Sequence, residues 1–238
     1  MNPELDLSNF SGELPLFPLP NVVQFPHTVL PLHIFEKRYQ MMLKRALEGE
    51  KLIGMTLLKP GWEDNYSGNP EIYPVACLGK IVKHEPMNDG RSNILLYGLR
   101  RTRIVDIISP RPYRTAHVEL LHETMEGMSD SKSEEYQQRL LELYGEFVIE
   151  YADQGQEFPT LSDAELNLSQ LTDAIAASIG LTPEQLIYLL EEIQVASRAA
   201  FLIEQLSLKL QTTDAPPKMN IEQDPEKLKQ QFPWLNLN

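Results

Sequence analysis

The side chains best suited to catalysis or metal binding are few and scattered along this sequence. Its five histidines and single cysteine are His27, His33, His84, His117, His122 and Cys77. No two of them stand at the spacing of a metal-ligand pair, so the sequence predicts no metal site. Cys77 lies between Ala76 and Leu78, which is typical of a buried, unreactive thiol. No pair of carboxylates stands out as general acid and base, so we expect no catalytic residue, no cofactor and no enzyme activity.

A basic group in the middle of the chain is the most concentrated candidate for binding. The group consists of Arg100, Arg101, Arg103, Arg111 and Arg114, and the first three fall in a strand-like stretch. Alternation along a strand places Arg101 and Arg103 on one face and Arg100 on the other. One interpretation is a site for an anion, an acidic peptide or RNA. The other is that these arginines pair with acidic helices of the same chain, a role for which arginine is well suited.

Two pairs of aromatic residues are the remaining candidates for a partner site. Trp62 and Tyr66 stand in a polar stretch, residues 59–73, whose Gly, Pro and Asn content predicts a loop. They either anchor a partner peptide or tuck under the loop as a local cap. Phe232 and Trp234 stand near the end of the sequence, beyond the helical pattern. They either dock on another protein or fold back on the bundle, and the lack of a core pattern in the preceding segment favours docking.

The first half of the chain has the pattern of a β domain. Prolines interrupt short apolar runs at 14–34, and because proline breaks helices we expect edge strands and bends there. A helical period follows at 35–48, and strand patterns continue from 52 to 121. One helix among several strands predicts a closed or nearly closed barrel with one packed helix.

The second half has the pattern of a helical bundle, which makes the chain an α+β protein. Residues 134–210 carry apolar stripes at helical spacing, and Thr182-Pro183-Glu184-Gln185 has the form of a capping box. The predicted organisation is an N-terminal tail, a β domain, a linker, a bundle and a C-terminal tail, at residues 1–13, 14–121, 122–133, 134–210 and 211–238.

Charge separates the same two halves. Residues 1–121 carry a balance of +1 and residues 122–238 one of −14, which together make the net charge of −13. The acidic half repels phosphates, so a nucleic-acid partner is disfavoured. The single cysteine, the acidic start without a signal-peptide pattern and the lack of a long apolar run predict a cytoplasmic protein without a membrane span.

Two stretches resemble a known family. The first reads LPLFPL at 14–19, VVQFP at 22–26 and VLPLHIFEKRY at 29–39, and the second reads YGLRRTRI at 97–104. Together they resemble the N-terminal domain of the Lon protease family, and the form of residues 32–39 is most similar to its stand-alone bacterial members. The resemblance covers residues 12–210 and implies a PUA-like pseudo-β-barrel followed by a C-terminal α-helical bundle.

The same resemblance implies substrate binding without an active site. No Gly-x-x-x-x-Gly-Lys-Ser/Thr loop occurs, so no ATP site is predicted. We therefore predict a non-catalytic protein- or peptide-binding module, an adaptor or substrate-recognition protein related to Lon proteolysis. Its expected partner is an unfolded substrate, a protease or an assembly complex. The alternatives are an assembly factor or scaffold for one complex, and an RNA-binding PUA-like module.

Overall fold

The computed structural model describes Leu7 and residues 10–66, 68–110, 112–152, 158–161 and 166–211. Phe232 and Trp234 therefore lie outside the described residues. The described part contains six β-strands, five α-helices and one short 3-10 helix, and this confirms the predicted α+β class.

The strands form one mixed sheet that closes on itself. They are β1 Glu13–Leu19, β2 Val29–Ile34, β3 Leu52–Leu58, β4 Ile72–Pro86, β5 Ser92–Ser109 and β6 Arg114–Leu120. Their order is β2-β5-β4-β3-β1-β6, and β6 pairs again with β5, so five strands make a ring while β2 pairs with β5 outside it. Only the β1–β3 pairing is parallel among these described strands. Closure removes most free strand edges, as the sequence pattern predicted.

The second family-like stretch contains a glycine, Gly98, because another backbone segment passes close to it. It lies in β5 where the segment before β2 crosses the strand: the amide of His27 donates to the Gly98 carbonyl at 2.8 Å, and the Gly98 amide donates to the Thr28 carbonyl at 2.9 Å. A Cβ at this position would lie 2.1 Å from the carbonyl oxygen of Phe25. Only a residue without a side chain allows two backbones to approach this closely.

Helix α1, Lys37–Glu48, covers one opening of the strand core with a stripe of buried residues, Tyr39, Met42, Leu43 and Ala46. The ring of Tyr39 packs against Phe17 of β1 at 4.3 Å between centroids. The helical period predicted a start at residue 35, but the helix begins at Lys37. Glu36 has extended backbone at the N-cap position, and Phe35 before it is 60% exposed.

The remaining helices are α2 Asp130–Ala152, α3 Leu168–Ser178, α4 Pro183–Glu191 and α5 Val195–Gln211. The chain divides into two compact units, one with the strands, α1 and α4, the other with α2, α3 and α5. The predicted capping box at the start of α4 is confirmed: Thr182 and Gln185 exchange backbone-to-side-chain hydrogen bonds of 2.9 and 3.3 Å. α4 packs on β4, and its Leu189 carbonyl accepts from Arg101 of β5 at 3.3 Å.

In the helical unit, a buried arginine joins the segment before α2 to α3 and α5. Arg198 of α5 is 0% exposed; its Nη1 lies 2.6 Å from Oε1 of Glu123, and its Nη2 donates to Oγ of Ser169 at 2.9 Å. A buried guanidinium needs such partners, since an unpaired charge in the interior is costly. Across the described ranges, no helix combines the length and apolar character needed to cross a bilayer.

Candidate functional site

A cleft of about 190 Å³ opens in the strand unit beside α1. Its wall includes four prolines, from β1 and from the segments before β4 and β6, which are Pro18, Pro70, Pro110 and Pro112. Polar groups come from three tyrosines and two arginines, which are Tyr39, Tyr66, Tyr113, Arg38 and Arg114. A concave site that combines apolar walls with a few converging polar groups is the usual form of a binding site.

Three side chains form a clamp at the cleft: Glu36, Arg38 and Tyr66. Oε2 of Glu36 accepts from Nε of Arg38 at 2.9 Å, and its Oε1 accepts from the hydroxyl of Tyr66 at 2.7 Å. The guanidinium of Arg38 lies 4.6 Å from the ring centroid of Tyr39 and 5.2 Å from that of Tyr66. Both oxygens of the Glu36 carboxylate thus accept hydrogen bonds. The charged guanidinium of Arg38 also makes cation–π contacts with two aromatic rings.

Burial raises the pKa of two tyrosines in the cleft, Tyr39 and Tyr66. Removal from water raises the pKa of Tyr39 to about 12. Burial also raises the pKa of Tyr66, and the hydrogen bond to Glu36 adds to this rise because it requires the protonated phenol. Both hydroxyls are neutral at pH 7 and remain hydrogen-bond donors.

Arg114, the first residue of β6, is a buried cation in the cleft, at 8% exposure. Its Nη2 donates to the carbonyl oxygen of Pro70. Burial lowers the pKa of Arg114, and the nearby cation of Arg38 lowers it further against the opposing effect of Tyr39. The guanidinium nevertheless stays protonated, because an arginine does not lose its proton in a protein.

The predicted aromatic pair Trp62 and Tyr66 lies together at this cleft. Tyr66 lines it, and Trp62, in the 3-10 helix Trp62–Asn65, packs edge-on against the Tyr66 ring at 5.6 Å. Both rings are half-buried. Tyr66 therefore lines the site directly, whereas Trp62 contacts the Tyr66 ring.

The three predicted arginines of β5 do not form one surface. Arg101 is 1% exposed; its guanidinium lies 5.9 Å from the Phe25 ring centroid and donates to the Leu189 carbonyl. Arg100 and Arg103 are exposed. Strand alternation predicts that Arg101 and Arg103 share one face of β5. Only Arg103 is accessible, because α4 covers Arg101.

Sequence analysis placed Arg114 in the basic group but did not combine it with Arg38 and Tyr39 in one site. Arg38 and Tyr39 stand in the first family-like stretch, and that was the available signal. Arg114 joins them only through the pairing of β6 with β1, where Leu16 stands opposite Arg114. Within the described residues, no group of three or more His, Cys, Asp and Glu side chains is arranged to hold a metal ion.

The model of the ATP-dependent protease La (LON) substrate-binding domain matches residues 13–207. The chain belongs to this family. Both family-like stretches, and the cleft residues that they contribute, lie inside the matched range. The match concerns the substrate-binding domain alone, which is a non-catalytic part of Lon proteases.

Relatives and a solved structure agree with this assignment. The Lon protease of Dictyoglomus thermophilum is 28% identical over 213 residues, which cover 88% of this chain and 26% of that protein. The Lon protease of Anaeromyxobacter dehalogenans is 26% identical over 196 residues, or 82% of this chain and 23% of that protein. The chain thus spans about a quarter of the length of these curated relatives. A Lon N-terminal domain protein from Xanthomonas campestris has the same fold, with a TM-score of 0.59 and 19% identity over 83% of this chain and 98% of that one.

Proposed function

We propose that this chain binds extended segments of other proteins in the cleft, as a substrate-recognition or adaptor module related to Lon proteolysis. The observation that carries the proposal is the cleft wall, where prolines adjoin Tyr39 and Tyr66. Proline rings are rigid and lack an N–H group, and tyrosine combines an apolar ring with a polar tip. Such a surface gains apolar contact with little loss of conformational freedom, as peptide-binding surfaces require.

We also propose the finer fold description, a PUA-like pseudo-barrel followed by a C-terminal helical bundle. The closed ring of five strands with α1 at its opening supports the first part, and the packing of α2 and α3 on α5 supports the second. The proposed boundaries remain 14–121 for the β domain and 134–210 for the bundle, although α4 packs with the strands.

The proposed mode of action is binding without catalysis, in the cytoplasm. The buried thiol of Cys77 is compatible with a reducing compartment. The proposed partners are an unfolded substrate, a protease or an assembly complex. Arg100 and Arg103 are exposed and remain proposed rim contacts, and Phe232 and Trp234 remain a proposed second docking motif.

Photo-crosslinking tests the proposed function directly. A photoreactive amino acid in place of Asn69, an exposed residue of the cleft, is irradiated with reduced, carboxymethylated lactalbumin as a permanently unfolded protein. We expect an adduct at this position, and none when the photoreactive group replaces Glu126, which is exposed in the helical unit. Native lactalbumin is the folded control and is expected to give no adduct.

Equal adducts at both positions, or equal labelling of folded and unfolded lactalbumin, would contradict specific binding of extended chain in the cleft. Absence of any adduct would favour the assembly-factor alternative, whose partner is a folded complex. A Tyr66→Ala variant adds a quantitative arm: loss of an aromatic anchor is expected to weaken binding about tenfold. Tyr73→Ala is the matched control, since Tyr73 does not line the cleft.

A further inference from the structure

Among the residues that the structure describes, the guanidinium of Arg114 has no negatively charged partner. Its side chain has one hydrogen-bond acceptor among the described residues, the Pro70 carbonyl, and no carboxylate of the described part forms an ion pair with it. A cation that is 8% exposed and unpaired costs free energy, which a bound anion would offset. The unpaired N–H groups of this residue line a cleft that a ligand can enter.

The carboxylate of Glu36, which belongs to the clamp at the cleft, is already engaged. Both oxygens of Glu36 accept hydrogen bonds, from Arg38 and from Tyr66. For the described residues at the cleft, two guanidinium groups against one carboxylate give a charge of +1, and Tyr39 does not reduce it because its pKa is about 12. This local excess of positive charge belongs to a chain with a net charge of −13.

The space beside this cation is small, and part of its wall is apolar. Leu58, Pro18 and Pro112 are among the residues that line it, and prolines donate no hydrogen bond. The cleft of about 190 Å³ exceeds the roughly 150 Å³ that hold a benzene molecule in an apolar cavity. It therefore has room for one apolar side chain next to one anionic group.

A free peptide C-terminus carries two such groups on its last Cα atom: the α-carboxylate is the anion, and the side chain can be apolar. We propose that the cleft captures the C-terminal carboxylate of a protein partner on Arg114 and Arg38, with an apolar last side chain against Leu58 and the prolines. Arginine suits a carboxylate because its planar N–H groups match both oxygens. This inference rests on the proposed function and names the part of the partner that is recognised. A polyanion such as RNA fits less well, since it brings no apolar side chain and meets an acidic protein.

Two probes that differ only at the chain end test the inference on the unaltered protein. Fluorescein-labelled Gly-Ser-Ala-Thr-Ala-Leu is prepared as the free acid and as the C-terminal amide, and the dissociation constants are measured by anisotropy at pH 7. We expect the acid to bind at least about tenfold more tightly, because the amide removes the charge-assisted hydrogen bonds. Inorganic phosphate serves as a competitor that carries charge without a side chain, and we expect it to compete weakly.

Three variants assign the discrimination to residues. Arg114→Gln is expected to bring the ratio of acid to amide affinity close to one, and Arg38→Gln to lower it. Arg38 is half-exposed, so this second variant keeps the test valid if Arg114→Gln does not fold. Arg45→Gln removes an exposed arginine of α1 outside the cleft and is expected to leave the ratio unchanged.

Equal affinity for acid and amide would overturn the inference, as would a ratio that survives both cleft variants. Phosphate would also overturn the inference if it displaced the labelled peptide acid at concentrations below the dissociation constant of that peptide. The site would then be reassigned to inorganic anions. If unfolded lactalbumin still crosslinks at position 69 while the two peptides bind equally, only the end-capture inference fails. If neither probe nor lactalbumin binds, the proposed function itself fails.

Discussion

The hydroxyl of Tyr66 donates a hydrogen bond to Oε1 of Glu36 at 2.7 Å, which ties the loop before β4 to the residue that precedes α1. The other carboxylate oxygen accepts from Arg38 at 2.9 Å. One side chain in the family-like stretch thus sets the position of both an arginine and an aromatic wall of the cleft.

Loss of this hydrogen bond is expected to loosen the cleft wall. Tyr66→Phe keeps the ring but removes the hydroxyl, and we expect a loss of about 1 kcal/mol, because a bond to a charged acceptor is partly replaced by water at this half-exposed position. Urea unfolding measures the stability, and hydrogen exchange of residues 62–70 should accelerate. Tyr73→Phe is the control, since the Tyr73 hydroxyl has no partner among the described residues. Equal exchange in both variants would contradict the role of the Tyr66–Glu36 bond.

Tyr39 is expected to make stability fall at alkaline pH. Burial raises its pKa from 10.0 to about 12, so the unfolded chain loses this proton at lower pH than the folded protein does. The contribution is complete below pH 10 and is lost as the pH rises to about 12, with a total of about 2 to 3 kcal/mol. Urea unfolding at pH 9 and 11.5 measures it. Tyr39→Phe should show a smaller loss between the two pH values; an identical loss in both proteins would disprove this assignment.

Two glycine-to-alanine substitutions are expected to act in opposite directions. At Gly98 the new Cβ meets the Phe25 carbonyl oxygen at 2.1 Å, and we expect destabilisation by about 3 kcal/mol or more, because backbone must move. At Gly145, within α2, nothing lies within 4 Å of the new Cβ, and alanine should stabilise the helix by about 0.5 to 1 kcal/mol. Thermal unfolding of both variants measures the effects. A stable Gly98→Ala protein would mean that the crossing at Phe25 is not as close as described.

Removal of the buried guanidinium in the helical unit is expected to be costly. Arg198→Leu leaves Glu123 and Ser169 without their charged donor, and we expect a loss of about 2 to 4 kcal/mol. The matched control is Arg139→Ala, which breaks an exposed ion pair with Glu142 and should change stability by less than about 0.5 kcal/mol. Urea unfolding followed by helical circular dichroism measures both. Similar losses in the two variants would contradict a special role for Arg198.

Local patterns in the sequence were sufficient for the α+β class, the barrel of strands, the capping box at Thr182 and membership of the Lon substrate-binding family. These features depend on residues close together in the chain, whose spacing alone decides periodicity, capping and motif. The same patterns predicted that α1 begins at residue 35, whereas it begins at Lys37. Helical spacing of an apolar residue does not show whether its side chain is packed against the core. Phe35 matches the period yet lies exposed.

The tertiary structure alone decided which polar residues share a site. The alternation of side chains along a strand assigns Arg101 and Arg103 to one face. It does not show that α4 covers Arg101. The cleft likewise depends on the pairing of β6 with β1, which brings Arg114 beside Arg38, and on a loop that returns Tyr66 to Glu36. Such contacts join residues far apart in sequence, and they form only because ring closure and core packing decide which strands become neighbours. No local pattern records that outcome, so the unpaired cation in the cleft appears only in the folded chain.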